Sequence, residues 1–156
     1  MLKLMDVNEE NWLEVRKLSV EEHQTGFLDS ALGILARAYV YRSARARVMG
    51  IAREEEIIGV ALVKDLDEAP ACYDLQQFMI DRRYQRQGFG TEALGLILAE
   101  LEQERKYDCV EVCVKQTDTA ALRVYEKAGF ADTGYVDEDA PDCRNLMYRF
   151  PARANP

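Results

Sequence analysis

The stretch Asp81-Arg82-Arg83-Tyr84-Gln85-Arg86-Gln87-Gly88-Phe89-Gly90-Thr91 decides the fold. It joins a β-like run ending at Ile80 to a segment in which Leu94, Ile97, Leu98 and Leu101 recur at i, i+3, i+4 and i+7, the spacing of one helical face. Two glycines at a helix start let the backbone curl so that successive N–H groups aim at one spot. The helix dipole adds about half a positive charge there. Arg86, helped by Arg82 or Arg83, adds formal charge. The loop Gln85 to Gly90 therefore reads as a seat for the phosphates of a cofactor that is presented to a second molecule.

Working outward, the residues on the N-terminal side change period twice. Leu2 to Val7 alternates as a strand, and Asn8 is placed to cap a helix carrying Trp12, Val15 and Leu18 on one face. A second helical region spans about 20–41, broken near Gly26 to Ser30, with Leu32, Leu35, Ala36 and Tyr39 at helical spacing. Arg47 to Arg53, Glu56 to Lys64 and Cys72 to Ile80 then read as three strands. Their short links favour antiparallel pairing, because a parallel crossover needs about a dozen residues. Beyond the loop, Gly95 inside a helix costs about 1 kcal/mol against alanine, which predicts close packing on the sheet. Val110 to Val114 is a short strand. Thr117 or Asp118 caps a helix ending at Ala128, and Gly129 occupies the left-handed position that closes it. Phe130 to Val136 and Arg144 to Phe150 complete an α/β (α+β) pattern, a mixed sheet with helices on its faces.

A length of 156 residues suits one domain spanning 1–156, with enough chain to bury a core. No apolar run approaches the roughly 18–20 residues that cross a bilayer, so no membrane partner is expected. The N-terminus lacks an export signal, and the expected location is cytoplasmic. Cys72, Cys109, Cys113 and Cys143 form no C-x-x-C pair, and the single His23 cannot complete a zinc set with them. Reduced, mostly buried thiols and no metal are expected. A net charge of −8 repels phosphates and argues against nucleic acid, while it would steer a cationic substrate inward.

Known phosphate loops separate on detail. A Walker loop needs Gly-Lys-Ser/Thr, which is absent. Gly88-Phe89-Gly90-Thr91-Glu92-Ala93 satisfies the dinucleotide fingerprint G-x-G-x-x-A of nicotinamide-dependent oxidoreductases. That fingerprint follows its strand directly, whereas here Asp81 to Gln87 intervene. Gln85-x-x-Gly88-x-Gly90 resembles instead the (Arg/Gln)-x-x-Gly-x-(Gly/Ala) motif of the GCN5-related N-acetyltransferases, the GNAT superfamily. Phe78-Met79-Ile80-Asp81 followed by Tyr84 resembles that family's cofactor strand and entry turn. Asp118-x-x-Ala121-x-x-Val124-Tyr125-Glu126-x-x-Gly129-Phe130 resembles its Asn-x-x-Ala-x-x-Leu-Tyr-Glu-x-x-Gly-Phe helix.

The resemblance implies a mostly antiparallel sheet of about seven strands with four or so helices, and acetyl-coenzyme A as cofactor. It implies that Phe78, Met79 and Ile80 offer backbone groups to the pantetheine arm. Arg86, Gln87, Gly88, Phe89, Gly90 and Thr91 would hold the pyrophosphate, with Gln85 a further cofactor-binding residue. Asp118 stands where the family usually has asparagine against the pantetheine. Tyr125 matches the tyrosine near the sulfur that protonates the leaving thiolate. A protonated amine must lose a proton before attack, and Asp74 and Glu111 are the candidate bases. Leu18 to Phe27 is similar to a segment of the spermine/spermidine (diamine) acetyltransferase-like branch, which points to Glu21, Glu22 and Phe27 as substrate-binding and to a polyamine as the amine. Gln76-Gln77 stands where that branch often has Asp-Arg. A protein or peptide N-acetyltransferase and a non-catalytic acyl-CoA-binding sensor are the alternatives. A homodimer is the assembly the family suggests.

Overall fold

The computed structural model describes residues 1–154. In chain order its elements are β1 (Leu2–Asp6), α1 (Trp12–Arg16), α2 (Ala31–Val40), β2 (Arg47–Arg53), β3 (Glu56–Leu66) and β4 (Cys72–Ile80). There follow α3 (Phe89–Glu104), β5 (Cys109–Lys115), α4 (Thr119–Ala128), β6 (Ala131–Asp132) and β7 (Cys143–Arg149). The strands lie in the order β1-β2-β3-β4-β5-β7-β6 in one sheet. Every pairing is antiparallel except β4 with β5, whose connection contains α3. That parallel pair is in register only at Tyr73↔Val110 and Asp74↔Glu111.

Two layers of apolar side chains hold the helices to the sheet. Leu94, Ile97, Leu98 and Leu101 of α3, with Leu122 and Tyr125 of α4, pack on Tyr73, Leu75, Val110, Val112 and Leu146. On the opposite face Val15, Leu18, Ala31 and Ile34 pack on Ile57, Val60, Leu62 and Met79. This second layer draws on β3 and β4 and leaves the corresponding face of β5 and β7 without a helix.

A bulge in β4 fixes where α2 sits. The β3–β4 register passes from Leu62↔Gln77 to Val63↔Leu75, leaving Gln76 as the extra residue. Gln77 Oε1 accepts from the Asp29 N–H at 2.9 Å, and Gln76 Oε1 accepts from Arg37 Nη1 at 3.3 Å. Arg37 Nε closes the network on Asp29 Oδ2 at 2.9 Å. Gly33 makes room for it, since a Cβ there would stand 2.0 Å from Asp29 Oδ1.

Several expectations are corrected. Of the helical region expected over about 20–41, the part after the break at Gly26 to Ser30 forms α2, while the part before it is only a 3-10 turn at Glu22–Gln24. Ser30 caps α2 by accepting from the Gly33 N–H, and that start turns Ala31 and Ile34 inward while Leu32 and Tyr39 are exposed. Trp12 is likewise at the surface, and Asn8 serves a turn by accepting from the Glu10 N–H rather than capping α1. Gly95 is exposed with open space where its Cβ would be, so no close packing explains it. The strand expected over Phe130 to Val136 shortens to β6 because Asp132 Oδ1 accepts from the Gly134 N–H at 2.8 Å and Gly134 turns at φ +76°.

The close approach of β3 to β4 depends on Gly59, where a Cβ would lie 2.6 Å from the Met79 carbonyl oxygen. Gly59→Ala is expected to cost about 1–3 kcal/mol, the usual price of overpacking. Urea denaturation monitored by circular dichroism reads it, and an unchanged midpoint would show that β4 yields freely.

Candidate active site

Past Asp74 the strands β4 and β5 part, so the β4 backbone from Leu75 onward has no β5 partner. Unpaired N–H and C=O groups at such an edge are a template for an extended ligand. A cleft of about 380 Å3 opens there. Phe78, Met79 and Ile80 form its floor, and Gln85, Arg86, Gly88, Gly90 and Thr91 close one end. Asp118, Ala121, Val124 and Tyr125 of α4 make one wall, while Val20, His23, Gln24 and Leu28 of the α1–α2 connection make the other.

The loop is shaped for an anion. Arg86 at φ 61° and Gly88 at φ 85° are both left-handed, which turns the chain sharply into α3. No side chain caps α3, so its first N–H groups point outward unsatisfied. Arg86 makes no ion pair among the described residues. A Cβ on Gly88 would meet nothing within 4 Å, so the space before the helix start is open. These features fit a pyrophosphate. Gln85 Nε2 donates to the Ile80 carbonyl at 2.9 Å and ties loop to strand. Asp81 braces the turn, accepting from Arg83 N–H and Nε and from the Ser19 N–H. Burial opposes its ionisation, but these bonds outweigh it and hold its pKa below the usual range. Gln87 and Phe89 lie outside the cleft lining. Gln87 donates to the Arg83 carbonyl, and Phe89 packs against Tyr84 beneath the Arg53 guanidinium.

On the α4 wall, Asp118 caps the helix by accepting from the Ala121 N–H at 3.2 Å. Burial raises its pKa, opposed first by the Ala121 N–H bond and then by His23 across the cleft. Gly129 ends the helix at φ 109°. Tyr125 is 8% exposed, and its acidity is suppressed by burial and then by the Asp118 charge. It therefore stays protonated at neutral pH.

Comparison with known proteins shows the family. The acetyltransferase (GNAT) family model matches residues 12–130. The chain belongs to the GNAT family. It is an N-acetyltransferase with acetyl-coenzyme A as its acetyl donor. A spermine/spermidine N(1)-acetyltransferase of Bacillus subtilis is 24% identical over 144 residues, covering 87% of this chain and 91% of that one. The spermidine N-acetyltransferase of Vibrio cholerae, solved with CoA and spermine, superposes with a TM-score of 0.73 at 16% identity, covering 95% of both chains. An aminoglycoside acetyltransferase solved with coenzyme A superposes with a TM-score of 0.78 at 15% identity, covering 96% of this chain and 95% of that one. At such identities the structural likeness is one of fold.

In this GNAT chain the carboxylates Asp74 and Glu111 lie outside the cleft at the fork. They sit side by side where the fork closes and line a second cavity, about 700 Å3, with Glu68, Tyr135, Asp137 and Asn145. Burial raises the pKa of Asp74, opposed by Lys64, whose Nζ lies 3.4 Å from Asp74 Oδ2. Burial and then the neighbouring Asp74 charge raise that of Glu111. Glu111 has no cationic partner among the described residues and accepts only a weak bond from Cys72 Sγ at 3.7 Å. Burial pushes the Cys72 thiol up to about 12, so it remains protonated.

The acidic turn is placed differently from expectation. Glu21 closes a capping box with Gln24, and neither Glu21, Glu22 nor Phe27 lines either cavity. His23 and Gln24 of the same turn do line the cleft, a placement that only the 3-10 geometry reveals. Asp118→Asn is expected to leave thermal stability within about 0.5 kcal/mol, because asparagine caps as well, whereas Asp118→Ala loses about 1 kcal/mol. Equal losses in thermal melts of the two variants would remove the capping role.

Proposed function

We propose that this enzyme acetylates a primary amine of a small polycation such as spermidine, spermine or a diamine. One observation carries the proposal. A cation-free, half-buried carboxylate, Glu111, stands at the closed end of a fork whose open end is walled by the protonated Tyr125. The likeness to the Bacillus subtilis polyamine acetyltransferase and the net charge of −8 support a polycation.

Acetyl-coenzyme A, when bound, supplies the acyl thioester. Glu111 takes one proton from the substrate ammonium, directly or through water, and frees the nitrogen lone pair. The neutral amine forms the C–N bond to the acyl carbon as the C–S bond breaks. Tyr125 gives its phenolic proton to the departing sulfur and is reprotonated from the new amide nitrogen. Ammonium and thioester thus become amide, thiol and one released proton. Asp74, held by Lys64, keeps Glu111 basic by its charge. Phe78 to Ile80 supply free backbone groups to the pantetheine arm, and Arg86 with the α3 N-terminus holds the pyrophosphate. Four free thiols suit the reducing cytoplasm.

Because Glu111 must be ionised to act, kcat/KM should fall as pH drops through its raised pKa. Glu111→Gln is expected to lower the plateau by about 10²–10⁴-fold and to remove that acid limb. Tyr125→Phe should lower kcat while the Kd for acetyl-coenzyme A stays within twofold by calorimetry. A thiol-release assay across spermidine, spermine, diamines, aminoglycosides and amino-terminal peptides identifies the acceptor. Transfer confined to peptides would overturn the polyamine assignment.

A further inference from the structure

The wall of the cleft opposite α4 comes from a segment that pairs with no strand. Val20, His23, Gln24 and Leu28 line the cleft from it. Among the described residues, every hydrogen bond made by residues 20–28 stays inside the segment. These are the capping box of Glu21 with Gln24 and the bonds of the Thr25 and Phe27 N–H groups to the Glu22 and Gln24 carbonyls. The bonds to the rest of the molecule flank it. At its start the Ser19 N–H donates to Asp81 Oδ2 at 3.1 Å, and the Ser19 carbonyl accepts from the Arg82 N–H at 2.8 Å. At its end the Asp29 N–H donates to Gln77 Oε1 at 2.9 Å. Val20 and Leu28 add apolar contact with the layer of α1 and α2.

The bulge in β4 is what lets Gln77 reach this wall. Leu75 faces α3, whereas Met79, an even number of positions further on, faces α1 and α2. The extra residue at Gln76 reverses the alternation of side chains, so Gln77 leaves the strand on the side of Asp29. Asp29 is itself fixed. Arg37 Nε donates to its Oδ2 at 2.9 Å, and its Oδ1 accepts from the Ser30 N–H at 2.8 Å. Phe78, Met79 and Ile80, which floor the cleft, follow Gln77 directly on the same strand.

We infer that Gln77 is a positioning residue for acetyl transfer. Its side-chain carbonyl, acting through the Asp29 backbone, holds the wall of residues 20–28 in place, so that one strand sets both the floor of the cleft and the wall facing Tyr125. The inference rests on the reading that coenzyme A occupies this cleft. A displacement of about 1 Å can cost about 10²-fold in rate, which is why an indirect contact of this kind matters to catalysis.

His23 is the single histidine of the chain, so its imidazole NMR resonance reports on the wall without ambiguity. In the wild type, saturating coenzyme A should shift that resonance, because His23 lines the cleft. Gln77→Met keeps the length of the side chain and removes its acceptor, and it should lose most of the shift. Gln77→Leu is a second acceptor-free variant, for use if Gln77→Met melts early. Gln77→Glu retains an acceptor and should restore the shift. Gln76→Met is the control and should behave as the wild type, since Gln76 Oε1 accepts from Arg37 Nη1 at 3.3 Å and makes no bond to the wall. With acetyl-coenzyme A and spermidine, kcat should fall about tenfold in Gln77→Met and recover in Gln77→Glu, while Kd for coenzyme A stays within about threefold. A full shift retained by the acceptor-free variants, or an equal loss in Gln76→Met, would overturn the role of Gln77 alone. An unmoved wild-type resonance with coenzyme A bound would overturn the cleft reading beneath it. Absence of spermidine turnover bears on the amine only, because the His23 resonance decides the wall without an acceptor.

Discussion

Two parallel strands that share only two residue pairs are the constraint on which this molecule is built. Had β4 and β5 stayed paired, the backbone of Leu75 to Ile80 would be spent on a neighbour and no cleft would exist. The parting is stable because both sides are held elsewhere. The β3–β4 pairing and its bulge hold one strand, and β5 is fully paired with β7 on its far edge. The α3 and α4 helices bridge the gap from one face through a common apolar layer that includes Tyr73, Leu101, Leu122 and Phe130. The fork is thus maintained by packing on its flanks.

Much of this was legible in the chain because local chemistry dictated it. Gly88 and Gly129 mark places where backbone conformation is nearly forced, and the strand boundaries Arg47–Arg53 and Cys72–Ile80 follow from period and flanking turns. The misread elements share a physical cause, since each is decided by a partner distant in sequence. The buried face of α2 is chosen by Asp29, Arg37 and the two glutamines of the β4 bulge, not by the largest side chains on the helix. The length of β6 is decided by one turn at Gly134. Gly95 marks no contact.

The site shows the same division. The loop from Gln85 to Gly90 is contiguous, so its residues announce themselves. The carboxylates Asp74 and Glu111 are 37 positions apart and meet only through the parallel register. Their placement on the sheet face shared with α1 and α2 depends on the bulge at Gln76 and on which residues of β5 face α3. His23 and Gln24 enter the cleft because the chain there makes a single 3-10 turn, whose rotation sends Glu21 and Glu22 elsewhere. Glu68, Asp137 and Asn145 come from three separate segments, and no spacing rule links them.

The fork has a topological consequence. Its cleft is walled by α4 from one face of the sheet and by the α1–α2 connection from the other, so elements that pack on opposite faces meet across the gap between two strands. A substitution in either layer is thereby felt at the same opening, and the cleft reports on the packing of both faces at once.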